Sequence, residues 1–264
     1  MAVALRYRIV DVFSDRPLAG NALCVVLDPC PEAVMAAVAR EVNLSETTFP
    51  VVTGDGTYEV RIFTPQAELP FAGHPSLGTA WCLGAGRWEQ TSEGGTVVVE
   101  ADATGAVMTQ PAPRFTSAEP GPGVDALGLP GAEMASVADA GGLRHLILAT
   151  DAPLESLSPD PGAVAAVARQ ARAHTVSAVR RRDDVTLHVR VFAPVLGIAE
   201  DAGTGSVAGP IGLLARRLWG TAIDATILQG AEMGRPCRIE VHADEAEVRV
   251  GGRLAACAEG IFTL

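Results

Sequence analysis

Glu46 stands in the segment NLSETTF (43–49), where a helical pattern gives way to a β-rich one. A carboxylic acid flanked by apolar surface is a candidate proton carrier. Such surroundings raise its pKa toward neutrality, where it can both take and return a proton. The same residue type also serves as a solvated acid or a helix cap, and the segment alone leaves these readings open. Two more candidates lie in glycine-rich turns: His74 in PFAGHPSLGTA (70–80) and Asp201 in EDAGTGSVAGP (200–210). Read singly, His74 is equally a packing residue with hydrogen bonds, and Asp201 equally an N-cap. Around them stand Gly73, Ser76, Gly205 and Ser206. Small residues let backbone N–H groups approach a ligand, and the first-turn N–H groups of a helix attract anions. The two turns are therefore candidate carboxylate-binding sites.

Other chemistries fail on residue type or spacing. All 20 basic residues are Arg. Without Lys the chain cannot form a Schiff base, and it has no phosphate-binding P-loop. In GTGSVAG (203–209) the third glycine comes one place too late for a dinucleotide fingerprint, and Thr204 occupies the first glycine position of a nucleophile elbow around Ser206. The five His residues (74, 145, 174, 188 and 242) show no metal-ligand spacing, and the five Cys residues form no C-x-x-C pair. These features predict no metal and no cofactor.

The elements that must position these residues are legible in outline. Hydrophobic residues make up 48% of the 264 residues, enough for a packed core. The net charge of −11 argues against nucleic acid and anionic membrane as partners. A small anionic metabolite would need local positive potential, which helix starts can supply. Strands are predicted at 6–13, 22–27, 58–63, 96–102, around LRHLILAT (143–150) and at 185–194, with a hairpin at 238–252. Helices are predicted at 32–42, 76–84, 160–173 and after the second glycine-rich turn. The Pro/Gly-rich stretch 111–131 reads as a connection. RIFTP (61–65) is echoed by RVFAP (190–194), each followed by an acidic residue, a glycine-rich turn and an apolar helix. The echo predicts a duplication whose two helix starts face one cleft. No apolar run approaches the length of a membrane span, and no cleavable leader is visible, so a cytoplasmic protein with reduced thiols is expected.

Over its whole length the chain resembles the PhzF (phenazine biosynthesis-like) family. The resemblance is carried by VDVFSDRPLAGNALCVVL, EVNLSETTFP, VRIFTPQAELPFAGHPSLGTA, EDAGTGS and VGGRLAACAEGIFTL. It implies an α/β, diaminopimelate-epimerase-like fold of two pseudo-symmetric halves, each a curved, mostly antiparallel sheet around a central helix. The halves are expected at 1–115, with 255–264 returning to it, and at 116–254. The resemblance further implies a homodimer, no cofactor and an isomerase acting on a dihydro-hydroxyanthranilate. The family's catalytic glutamate falls on Glu46, its Gly-His on Gly73 and His74, and its Asp and Ser on Asp201 and Ser206. Three departures fall near these positions: Ala202 and Gly203 stand in place of Pro-Val, Ala208 in place of His, and Ala22 in place of the Pro of Gly-Asn-Pro. They bear on the substrate rather than on the class of chemistry. Related epimerases carry one Cys in each turn; here there is none, which argues against two-thiol racemisation. Two alternatives stand beside the isomerase: a non-catalytic small-molecule binding protein of the same fold, and a tautomerase or C–C hydrolase using the same glutamate. With neither Lys nor metal spacing, turnover should survive exhaustive chelation unchanged; loss on chelation with rescue by a metal would contradict this expectation.

Overall fold

The computed structural model describes residues 4–140, 142–244 and 246–264. The chain divides into two compact units, Met1–Thr109 with Gly251–Leu264, and Gln110–Val250. The first contains β1 (Ala4–Val12), β2 (Asn21–Val26), α1 (Glu32–Val42), β3 (Glu46–Gly54), β4 (Thr57–Phe63), β5 (Glu68–Leu69), α2 (Gly73–Leu83), β6 (Gly86–Ser92), β7 (Gly95–Ala101) and β8 (Gly105–Gln110, whose last residue counts with the second unit). The second contains β9 (Arg114–Ala118), α3 (Pro120–Leu127), β10 (Met134–Ala140), β11 (Leu143–Ala149), α4 (Pro161–Gln170), β12 (Thr175–Arg181), β13 (Thr186–Ala193), β14 (Ile198–Asp201), α5 (Gly205–Trp219), β15 (Asp224–Gln229) and β16 (Cys237–Ala243). The long β17 (Val248–Thr263) begins in the second unit and ends in the first.

The two units repeat one pairing order. In the first, β1–β2 is antiparallel, β2–β3 parallel across α1, β3–β4 antiparallel, β4–β6 parallel across α2, and β6–β7 antiparallel. In the second, β10–β11, β11–β12, β12–β13, β13–β15 and β15–β16 follow the same sequence of orientations, with α4 and α5 as the crossovers. The RIFTP/RVFAP echo is thus a structural repeat. Arg61 forms a two-pronged pair with Glu68 at 2.7 and 2.7 Å and lies 5.2 Å from the Phe63 ring centre. Arg190 does the same with Glu200 at 2.8 and 2.7 Å, and lies 5.2 Å from Phe192. Each fork fastens the start of the segment that leads into a central helix.

The central helices owe their burial to composition. No charged residue occurs in α2, and Gly73 through Ala80 are all buried. A helix apolar on every side belongs inside a core. Gly78 allows it to lie against the sheet, because a Cβ there would come within 2.5 Å of Leu23 Cδ2 and 3.1 Å of Val12 Cγ2. Strand β2 is correspondingly buried on both faces, with Cys24 and Val26 packing beside Met35, Val38 and Ala39 of α1. In α5 every residue from Gly205 to Ala215 is buried.

Two sequence expectations shift. Helix α2 begins at Gly73 rather than Ser76, because Pro75 falls in the first turn, where the N–H it lacks has no intrahelical acceptor. The stretch 111–131, read as a connection, contains β9 and α3. There too prolines occupy the first helical turn, and Gly128 (φ 67°) closes the helix in the left-handed conformation.

Between β1 and β2 the chain turns through Phe13 (φ 66°), Leu18 (φ 65°) and Gly20 (φ 72°). Buried Asp11 accepts the Leu18 N–H at 2.7 Å and so braces the loop. A Cβ on Gly20 would lie 2.4 Å from Val12 O. Gly20→Ala should therefore lower unfolding free energy in urea by about 2–4 kcal/mol, the combined effect of a left-handed alanine and an overlap with backbone. Gly84→Ala, at φ 126° with open space around it, shares the strain without the overlap and should lose less.

Candidate active site

Helix α1 ends at Val42, and Asn43 takes the left-handed conformation (φ 51°), its N–H bonding Ala39 O at 3.0 Å. Asn is among the few residues that accept this turn. The reversal delivers Ser45 and then Glu46, the first residue of β3, which pairs with Leu23 in the parallel β2–β3 ladder. Glu46 is 7% exposed. His74, in the first turn of α2, is 3% exposed, and its Nε2 lies 3.4 Å from Glu46 Oε2. At the other ring nitrogen, Asn21 Nδ2 stands 3.2 Å from His74 Nδ1. Asn21 Oδ1 in turn accepts from Ser45 Oγ at 3.3 Å. Asn21 is itself buried, and it comes directly after the constrained Gly20. A carboxyl group and an imidazole thus share a water-poor pocket of the first unit, an arrangement suited to holding and moving one proton.

Gly73 opens α2. Ser76 is placed differently from its neighbours. Its hydroxyl donates to Ala72 O at 2.9 Å and accepts from Gln90 Nε2 at 2.9 Å, while Gln90 Oε1 accepts from Tyr58 at 2.7 Å. Ser76 therefore ties α2 to β4 and β6.

In the second unit Asp201 ends β14, and Oδ2 accepts from Thr204 Oγ1 at 2.6 Å. Gln229 Nε2 donates to Asp201 O at 2.8 Å and to Thr204 Oγ1 at 3.0 Å, and its Oε1 accepts the Thr204 N–H at 3.2 Å. The turn before Gly205 and Ser206 is so fixed from three directions. Ser206 is buried in the first turn of α5. Pro210 lacks the N–H that would otherwise bond the Ser206 carbonyl four residues earlier. Gln110 adds a bond from Nε2 to Gly205 O at 2.8 Å. Sequence reasoning assigned no role to Asn21, Gln110 or Gln229; Asn21 stands in the Gly-Asn-Ala segment that answers to the family's Gly-Asn-Pro, while the only signal of the other two is an amide in a mostly apolar strand.

Three other ionisable groups, Cys24, Cys82 and His145, are set apart from proton transfer. Burial, with a smaller contribution from Cys82, pushes the Cys24 thiol up to about 12, and burial does the same to Cys82. His145, fully buried and bonded to Thr175 Oγ1 at 2.8 Å, is held down to about 3 by burial and stays neutral. Among the described residues no group of three His, Cys, Asp or Glu could hold a metal ion.

The family model for phenazine biosynthesis-like proteins matches residues 10–260. The chain belongs to that family, known as PhzF. Among its relatives, a trans-2,3-dihydro-3-hydroxyanthranilate isomerase of Pseudomonas aeruginosa is 38% identical, covering 97% of this chain and 98% of the relative. The enzyme of that name from Pseudomonas chlororaphis is also 38% identical, over 98% and 99%. A PhzF-family structure from Enterococcus faecalis superposes with a TM-score of 0.82 at 28% identity, covering 99% of this chain and 100% of that one. A hydroxyproline epimerase from Agrobacterium vitis shares the fold at TM-score 0.62 and 10% identity, covering 99% of this chain and 93% of that one. The diaminopimelate-epimerase-like expectation for the fold is met by this PhzF and epimerase likeness.

The turn geometry yields a stability test. Gln229→Leu keeps bulk but strips three hydrogen bonds from Asp201 and Thr204. Urea unfolding should show a loss of about 1–3 kcal/mol from the buried groups left unpaired; an unchanged midpoint would mean the turn is held by other means.

Proposed function

We propose that this isomerase moves a proton from one carbon to another on a small, carboxylate-bearing, conjugated or enolisable metabolite, with Glu46 as the base that removes the proton and the acid that returns it. The observation that carries this reading is the buried approach of His74 Nε2 to Glu46 Oε2 at 3.4 Å, on the positions where the family resemblance places its glutamate and histidine. In the first step the Glu46 carboxylate takes the substrate proton, and the C–H electron pair enters the conjugated system. In the second, the Glu46 carboxylic acid, free to exchange its proton with solvent, delivers a proton to another carbon and the carboxylate is restored. No electrons are gained or lost overall, so no redox cofactor is required. His74 is assigned to orienting the substrate and to stabilising the charge that returns to Glu46 in the second step. Asp201 is assigned to orienting the substrate. The N–H groups at Gly73, Gly205 and Ser206 are assigned to its carboxylate, which lets a protein of net charge −11 accept an anion.

The relatives named for trans-2,3-dihydro-3-hydroxyanthranilate make that compound the first substrate to try, and point to secondary metabolism. The same reading takes the protein as a cytoplasmic, cofactor-independent homodimer; no helix among the described residues is long and apolar enough to cross a membrane. A binding protein of the same fold would release no deuterium from a labelled ligand, and a C–C hydrolase would give two products.

Glu46→Gln keeps shape and hydrogen-bonding capacity but cannot carry the proton. It should fold, bind substrate and lose about 10²–10⁴ in turnover. Glu46→Asp should keep part of the rate, and His74→Ala and Asp201→Ala should both lower it. Solvent-deuterium exchange into substrate is the measurement, and a Glu46→Gln variant that exchanges as fast as the parent would remove Glu46 from the role of base.

A further inference from the structure

We infer that Asn21 is a positioning residue that fixes the tautomer of His74 and thereby keeps Glu46 as a resting base. The inference rests on the proton-transfer reading above for its consequence, but not for its geometry. Three contacts run in series: Ser45 Oγ to Asn21 Oδ1 at 3.3 Å, Asn21 Nδ2 to His74 Nδ1 at 3.2 Å, and His74 Nε2 to Glu46 Oε2 at 3.4 Å. All four residues belong to the first unit. The direction of the series comes from hydrogen-bond chemistry. The Ser45 hydroxyl donates to the amide oxygen, which leaves the Asn21 NH₂ turned to the ring. An NH₂ group only donates, so Nδ1 must be the acceptor. A neutral imidazole with an unprotonated Nδ1 carries its proton on Nε2, and Nε2 is the atom that faces Glu46.

The consequence concerns which form of Glu46 is favoured. A donor aimed at a carboxyl oxygen stabilises the carboxylate, whereas a bare ring nitrogen would accept a hydrogen bond from the carboxylic acid and stabilise the neutral form. With Nε2–H toward Glu46, the resting state is the base. At 3.4 Å the contact is longer than a formed hydrogen bond, as is common for catalytic groups before substrate closes on them. Asn21 is well placed to hold one orientation. It is 2% exposed, it begins β2 in register with Val12, and the backbone before it is constrained at Gly20. The amide is uncharged, so it sets the tautomer without adding a second acid beside Glu46.

The test reads the tautomer directly and needs no substrate. Nitrogen-15 imidazole NMR on the intact protein distinguishes Nε2–H from Nδ1–H. The parent should show His74 as Nε2–H. In Asn21→Asp the new carboxylate accepts from Nδ1, and the protonated nitrogen should switch to Nδ1, alone or as the imidazolium. Asn21→Leu, of similar size and uncharged, should give a mixture, and it serves if the aspartate variant does not fold. Turnover should fall by about 10–100-fold in either variant, the scale on which partners that orient a functional histidine act. An Nδ1–H parent, or a tautomer that is the same in the parent and in a folded Asn21 variant, overturns the inference. A tautomer that switches while turnover stays at the parental value supports the assignment to Asn21 but removes His74 and Glu46 from the rate-limiting chemistry, so the two failures are distinguishable.

Discussion

A carboxyl group and an imidazole held at 3.4 Å and almost wholly out of water are costly to maintain, because each loses its hydration and the pair must keep a fixed geometry to offset that loss. The first unit can be understood as the set of constraints that meets this condition. His74 is rigid because it lies in a helix with no charged residue, packed so closely on β1 and β2 that a Cβ at position 78 would overlap the Leu23 side chain. Glu46 is rigid because a left-handed Asn43 ends one helix and a strand pairing begins at Glu46 itself. Asn21 is rigid because a braced loop of left-handed residues delivers it to the start of β2. Each group is fixed by backbone rather than by side-chain contacts alone, and such placement gives a reactive geometry its precision.

The second unit solves a related problem with the same topology and different residues. The Arg-Glu fork over a phenylalanine recurs, and each glutamate stands five residues before the glycine that opens the central helix. Beyond the fork the two turns have diverged. In the first unit the turn carries an imidazole, and Ser76 is absorbed into a hydrogen-bond chain with Gln90 and Tyr58. In the second, the turn carries a carboxylate bonded by Thr204, with Gln229 holding the Asp201 backbone carbonyl, and a serine stands in the first turn of the helix. Duplication supplied two equivalent frames, and the functional difference is confined to a few positions at the helix starts.

Periodicity and turn residues make most strands and helices legible, and the five-residue echo is sufficient to indicate the repeat. Glu46 and His74 are legible as candidates, yet their proximity is not, since 28 residues separate them and only the β2–β3 pairing and the docking of α2 bring them together. Prolines mislead most. Pro75, Pro120 and Pro122 look like marks of loops, whereas each occupies a first helical turn, where its missing donor costs nothing. The supporting amides are harder to read for a different reason: Asn21 is marked only by the Gly-Asn-Ala segment, and Gln110 and Gln229 by nothing but the amide itself. An amide in a strand looks the same whether it faces solvent or braces a turn, and its partners lie far away in sequence.

The first unit is discontinuous: β1 pairs on one side with β2 and on the other with residues 254–263 of β17. During synthesis, β1, β2, β3 and α2 leave the ribosome long before the strand that completes their sheet. The second unit is continuous from Gln110 to Val250 and has all its residues in hand earlier. Order of appearance and order of completion are therefore reversed, and the half that holds Glu46 and His74 is the later one to close. Until residues 251–264 arrive, the outer edge of β1 is an open row of backbone donors and acceptors, the kind of edge that recruits strands from other chains. A nascent chain of this design has reason to meet a chaperone, and a nonsense codon near its end would release a polypeptide whose first-made half is the part left unfinished.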